Sequence, residues 1–479
     1  MTSTPHPELH LDIVNLIIDE LHSSRHDLKT CALVCRSWVP HSRFHLFSTI
    51  CLSCLGLVSI YRGNVSSFLA LCASPHSTIP LARIGNLSIV TNLHIDEELQ
   101  NPTVFDQLLT WRSPHDGKSI ADVFRHLKTL SLDCIKWRPL SQTANSMLHL
   151  TFQTVTELRL QHVMFETGDE FLEFLSSLIG LEKLCLHGVS LRAPRQASST
   201  MQSNVFSSRF HTLDLNIVSY YDPSGQVIRA ITPYRSLKNL SVHVRNFGDM
   251  SVECSMAVGD LLVSAGPSLE SFKFCVELAG VFKRDVDLDA RLQHIHLTEN
   301  SNLRKITLDV DDSTYLVPFL ERLTKSHYPP SLEKLHIPRL VPEMDDTPVD
   351  YKRINELLRH SYFSALGEFR CRQHVGSGIE EEWYNGRPIE GSWSWKEMES
   401  KIEELKAAMP KLADEGILQV DSDFPQVFFS FCQTQHCVFA NCSLDMLSRP
   451  GVCEDESDET KILRTLMRTN DREREGGKD

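Results

Sequence analysis

No stretch of this chain is long and apolar enough to cross a bilayer. The most apolar segment, Leu46 to Tyr61, is interrupted by Ser48, Thr49, Ser53 and Gly56, whereas a span needs about twenty apolar residues in a row. Positive charge is also scarce. The 48 Lys and Arg are outnumbered by 62 Asp and Glu, for a formal net charge of -14. A phosphate backbone demands a cationic surplus, so a general nucleic-acid binder is excluded. The first ten residues are polar and lack the basic start and apolar core of a secretory signal. The cytoplasm or nucleus is therefore the expected compartment, with thiols reduced and no membrane contact. The Asn-x-Ser sequons at Asn64, Asn86, Asn239 and Asn441 are incidental on that reading.

Signs of chemistry are equally thin. The 14 cysteines are scattered and form no short disulfide framework. No Gly-x-Ser-x-Gly or His-Glu-x-x-His occurs, and no Gly-rich phosphate loop follows any strand-like run. Cys51-x-x-Cys54 lacks a second pair at zinc-finger spacing and reads as core thiols. Cys432, His436, Cys437 and Cys442 match no common finger and read as part of a packed C-terminal cap. Glu380 to Glu382 and Asp345-Asp346 read as solvated loop charge. The expectation is a protein that is not an enzyme and needs no cofactor or metal.

What the chain does have is a repeat. An apolar residue, two others, an apolar residue, one other and a third apolar residue recur along it. The pattern runs through Ile84/Leu87/Ile89, Leu127/Leu130/Leu132, Val155/Leu158/Leu160 and Leu181/Leu184/Leu186. It continues as Phe210/Leu213/Leu215, Leu237/Leu240/Val242 and Leu269/Phe272/Phe274, then Leu303/Ile306/Leu308, Leu332/Leu335/Ile337 and Leu366/Phe369/Cys371. The last two apolar positions alternate as a half-buried strand requires. Helical patterns lie between, over Asp169 to Ile179, Gly259 to Ala265, Val317 to Leu323 and Ile354 to Leu358. The step from Leu87 to Leu130 is the long one and implies an insertion or a blurred repeat. A period near the top of the leucine-rich range implies a solenoid with a curved parallel sheet and outer helices, an α/β fold. The competing reading is an ordinary α/β domain whose strands start alike.

Residues 1–47 are different. Ile13, Leu16, Ile17 and Leu21 recur at helical spacing, with Asp12 where a negative charge suits the helix dipole. A second helix is expected from Leu28 to Trp38, interrupted by Pro40, with a last short turn over His41 to Phe47. The remaining organisation is a solenoid over 48–375, an end cap over 376–449 and a charged, disordered tail over 450–479. In the cap, Trp395 to Ala408 reads as a helix stopped or kinked by Pro410, and Ile417 to Phe431 as one or two strands.

The run Leu9-His10-Leu11-Asp12-Ile13, with Ile17, Ile18 and Leu21 after it, resembles the opening of the F-box family. Leu28 followed by Leu33-Val34-Cys35-Arg36-Ser37-Trp38 resembles its second half, and Arg43-Phe44-His45-Leu46-Phe47 is similar to the segment after the box in many fungal members. The family's usual proline is His10 here. The resemblance implies three short helices docking on a Skp-type adaptor, through which a cullin-RING ubiquitin ligase is joined, while the C-terminal domain holds a protein substrate. The adaptor-binding candidates are Leu9, His10, Asp12, Ile13, Ile17, Leu33, Val34 and Trp38. So small a unit has more apolar residues than it can bury, so some of them are expected to form an exposed face. The alternative is that they cap the solenoid against Ile50 and Leu52. His10, His41 and His45 read as surface or interface residues. On the solenoid, side chains between the strand leucines face away from the core. The partner-binding candidates there are Arg159, Lys183, Asp214, Lys273, Lys305, His336 and Arg370, a row of mixed charge, with a site on the loops as the alternative.

Overall fold

The computed structural model describes residues 10–53, 65–75, 79, 83–91, 103–137, 140–193, 206, 209–217, 224–232, 236–244, 250–276, 292–310, 316–325, 331–338, 340, 349–372 and 395–421. Leu9, the late cysteines, the acidic runs and the tail over 450–479 lie outside them. Three helices come first: α1 (Leu11–Glu20), α2 (Arg25–Val34) and α3 (Val39–Ser48). Then come β1 (Thr49–Ser53), α4 (Val65–Ala73), β2 (Asn86–Val90), α5 (Thr103–Thr110), α6 (Ile120–Val123), β3 (Thr129–Asp133) and α7 (Gln142–Phe152). Next are β4 (Glu157–Gln161), β5 (Met164–Thr167), α8 (Gly168–Ser176), β6 (Lys183–His187) and β7 (Ser190–Ala193). The chain continues through β8 (Thr212–Ile217), α9 (Ser224–Ile231), β9 (Asn239–Val244), α10 (Val252–Ala265), β10 (Ser271–Val276) and β11 (Lys305–Val310). It ends in α11 (Leu316–Thr324), β12 (Lys334–Ile337), α12 (Tyr351–Leu358), β13 (Glu368–Arg372), α13 (Trp395–Ala408), α14 (Pro410–Asp414) and β14 (Leu418–Asp421). No described helix is long and apolar enough to cross a membrane.

Twelve strands form one sheet in the order β1-β2-β3-β4-β6-β8-β9-β10-β11-β12-β13-β14. Every neighbouring pair is parallel, and the second residue of each strand but the last is held in line. Ile50, Leu87, Leu130, Leu158, Leu184, Leu213 and Leu240 form the first part of that line. Phe272, Ile306 and Leu335 continue it, and Phe369 pairs with Leu418 at its end. All but Leu418 are buried. This is the strand-and-helix repeat, with α5 and α6 in the long step after Leu87. The sheet runs on past residue 375, since β14 pairs with β13.

The helices follow from their ends as well as their faces. Thr167 accepts from the Glu170 N–H at 3.2 Å, and the Glu170 carboxylate accepts from the Thr167 N–H, a reciprocal cap that starts α8. Its Phe171, Leu172, Phe174 and Leu175 are buried. The helix over Trp395–Ala408 stops just before Pro410 as its sequence implies, whereas Pro40 begins a helix rather than interrupting one. α2 ends at Val34, with Cys35 extended at φ -160°, several residues before Pro40. Pro40 stands in the first turn of α3, where a missing N–H costs nothing, and Trp38 caps that helix instead of closing α2. Pro410 likewise opens α14.

One feature has no counterpart in the repeat pattern. Cys134, His162 and Gly188, each directly after its main-sheet strand, have positive φ of 57°, 50° and 58°. Each turns the chain out of the sheet. After His162 and Gly188 the chain enters β5 and β7, which pair in parallel as a second small sheet. Residues 135–137 join it through the Trp137 N–H donating to the Met164 carbonyl at 2.7 Å. Gly188 is needed twice over, because a Cβ there would lie 2.7 Å from the His162 ring as well as straining the backbone. Two outcomes are expected, both read from urea midpoints. Leu213→Ala should cost about 2–5 kcal/mol, as for other fully buried leucines. Gly188→Ala should cost about 1–2 kcal/mol, and an unchanged midpoint would remove the argument from the corner.

Candidate functional site

The sequence singled out two surfaces, and the structure gives each a geometry. The first is on α1 and α2. The helical unit has its own core of Val14, Ile18, Leu28 and Cys31, with Leu21, Trp38 and Leu46 packed against it. Ile13, Leu16 and Ile17 lie on the other side of α1, where three- and four-residue spacing makes them neighbours. They are 51%, 64% and 42% exposed. At the end of α2, Leu33 is 85% and Val34 57% exposed. These five, with Leu11 on α1 and Phe44 on α3, face water on a unit whose core is complete without them. Leu16 belongs with them, although only its helical spacing marked it in the sequence.

Three predicted members of this surface behave differently. Trp38 is half-buried against the small core. His10 caps α1: its Nδ1 accepts from the Asp12 N–H at 3.4 Å. Its φ of -59° is one a proline would also adopt. Asp12 is exposed in the first turn. Exposed Cys35 is held below the usual thiol range by a hydrogen bond from Ser37 at 3.0 Å.

The second surface is the polar face of the sheet. Register places Ser131, Arg159, Cys185, Asp214, Ser241, Lys273, Thr307, His336 and Arg370 in one row. The row two residues earlier holds Glu157 beside Lys183 and Lys305 beside Lys334 beside Glu368. The mixed charge resolves into two carboxylate-centred clusters. Glu157 meets both Lys183 and Arg159 at 3.0 Å. Burial pushes Glu157 upward, but the Lys183 hydrogen bond and the Arg159 charge leave it below the carboxylate range. Glu368 meets Lys334 at 2.8 Å and His336 at 2.9 Å. Asp214 and Lys273, between the clusters, belong to neither. Burial raises Cys185 to about 11 and Cys275 to about 12, so neither thiol on this face is a nucleophile at neutral pH.

The sequence reading missed a polar cleft of about 850 Å³ at the entry to strands β6 and β8–β11. Glu182, His211, Lys238, Glu270 and Arg304, each one residue before its strand, line it. Their positions look like loop in the sequence, yet their N–H groups carry on the ladder, as from Glu270 to the Lys238 carbonyl at 2.8 Å. Also unforeseen is the meeting of Asp19 with His41 and His45 between α1 and α3.

No family model matches this chain, and no curated protein matches it in sequence. Among solved structures it is similar to a chain of the crystal structure of the Rad7 and Elc1 complex in yeast. The TM-score is 0.29 and the identity 12%, over 75% of each chain. The fold assignment stands on the strand register, not on this likeness.

The Glu368 cluster should leave a pH signature. The Lys334 hydrogen bond, with that of His336, holds the carboxyl below its ordinary value. A carboxylate depressed on folding stabilises the fold above its unfolded pKa, and the contribution is lost as pH falls through the folded pKa. Glu368→Gln should therefore cost ~0.5–1 kcal/mol at neutral pH. That cost should shrink as urea midpoints are taken down through the carboxylate range. A cost independent of pH would assign the effect to packing instead.

Proposed function

We propose that this chain is a non-catalytic substrate-recognition subunit of a cullin-RING ubiquitin ligase, acting in the cytoplasm or nucleus. On this reading α1–α3 dock on a Skp-type adaptor, and the polar face of the sheet holds a protein target. The observation that carries it is the exposed set Ile13, Leu16, Ile17, Leu33 and Val34 on a unit with a separate core. Water-facing leucines and isoleucines in that number mark an interaction site. They fall in the segment from Leu9 to Trp38 that resembles an F-box. Each side chain contributes about 1.5–3 kcal/mol when fully buried. Five of them suffice against association costs of roughly 4–15 kcal/mol. For the target, two ion clusters set along a parallel sheet offer charge of both signs at fixed spacing, which suits a polypeptide with both.

A second reading is favoured by one residue. Where the family has proline, His10 stands, and it caps α1 with its ring nitrogen. If that change abolishes docking, the chain is a leucine-rich interaction scaffold with an F-box-like segment. The test is retention of the full chain on a purified Skp-type adaptor. Ile17→Asp and Leu33→Asp should each weaken it by about 100-fold or more, the loss of roughly 3 kcal/mol. Circular dichroism should be unchanged, since both side chains are exposed. Trp38→Ala should lower the melting temperature of the helical unit as well, because Trp38 packs on its core. No retention of the wild-type chain would sink the ligase reading, and recovery by His10→Pro would trace the failure to that one position.

A further inference from the structure

We propose that Asp19, His41 and His45 form a binding site for a divalent transition-metal ion, with zinc the expected occupant. The site does not depend on the reading above. His41 and His45 are four residues apart on α3, so both rings project from one helix face. Their Nε2 atoms reach the same oxygen, Asp19 Oδ1 on α1, at 2.8 Å and 2.7 Å. The three donor atoms lie within 4.8 Å of one another, and no other group of three or more His, Cys, Asp or Glu among the described residues does so. Two imidazoles and a carboxylate are the nitrogen and oxygen donors that zinc takes.

The geometry needs little change. Bonds of about 2.0–2.1 Å to a tetrahedral ion set ligand atoms roughly 3.4 Å apart, so each Asp–His separation would open by about 0.6 Å. Asp19 is about half exposed, which lets it move and leaves solvent to complete the shell. His45 is the most enclosed of the three at 16% exposure. On binding, each neutral ring would shift its single proton from Nε2 to Nδ1 through solvent, so that both Nε2 lone pairs face the ion and no proton is lost from either ring. The backbone of Asp19 is already braced, because His22 Nδ1 donates to its carbonyl at 2.7 Å.

The fold gives such an ion work to do. The helical unit is small, and α3 buries only Ser42 completely. An ion shared by α1 and α3 would tie the first helix to the third where apolar packing is thin, as metals do in small domains.

The experiment is a titration of the metal-stripped full chain with Co²⁺, followed by visible absorption, with Zn²⁺ as competitor. One equivalent should bind at about 10 μM or tighter with a spectrum of nitrogen and oxygen ligation. The paired substitution His41→Gln, His45→Gln should weaken that binding at least about 100-fold, with helical content kept. A variant with Cys432, Cys437 and Cys442 all changed to serine should bind as wild type does. Loss of binding in the serine variant, or a sulfur charge-transfer band, would overturn the proposal in favour of the late cysteines. Undiminished binding by the His41, His45 variant would overturn it too. No binding by the wild-type chain would leave only a hydrogen-bonded clasp of two histidines and an aspartate.

Discussion

Side-chain alternation makes strand register the constraint on which this molecule depends. A slip of one residue in any strand would exchange its buried leucines for its exposed polar residues. The line from Ile50 through Leu213 to Phe369 prevents that, because each of its members is buried against helices on one face. The opposite face then has no freedom of its own. Glu157 lies beside Lys183, and Glu368 beside Lys334, because each pair occupies the first position of neighbouring strands. The charged clusters are a consequence of apolar alignment rather than a cause of it. Their Lys and Arg partners are about half exposed, so these ion pairs contribute only modestly to folding. What they supply is a fixed arrangement of charge.

The helical unit answers a different demand. Its four buried apolar side chains are separate from the long core of the sheet. α1 is apolar on more than one side: Val14 and Ile18 turn inward, while Ile13, Leu16 and Ile17 turn out. A helix that served only to cap the sheet would not carry the second set. The polar corner of the same unit, where Asp19 meets two histidines, lies between its first and third helices and fastens them by hydrogen bonds.

Much of this was legible in the sequence, and the unread parts share physical reasons. Leu130 and Leu132 reveal a strand because alternation is a local pattern, and ten repeats make it hard to miss. The end of α2 was misread because Ala32, Leu33 and Val34 prolong an apolar run, although the chain is already extended at Cys35. The apolar excess in the helical unit was legible, but which members would be exposed depended on packing. Trp38 turned inward, and Leu16 turned out. The corners at Cys134 and His162 were invisible because positive φ is sought at glycine, and only the third corner, Gly188, has one. Asp19 and His45 are 26 residues apart, and no spacing rule links an aspartate on one helix to histidines two helices later. Contacts of that kind come only from the fold.

The junction between the two parts has a mechanical consequence. α3 ends at Ser48 and β1 begins at Thr49, with no residue between them. The helices are therefore spliced to the first rung of the sheet without a hinge. Strands lie about 4.8 Å apart, so distance from the splice can be counted along the sheet. The Glu157 cluster stands roughly 15–20 Å from β1, and the Glu368 cluster roughly 45 Å. The sheet is in effect a ruler whose zero mark is fixed to the helices. Anything bound along it is held at a set distance, and changing that distance means adding or removing a whole repeat.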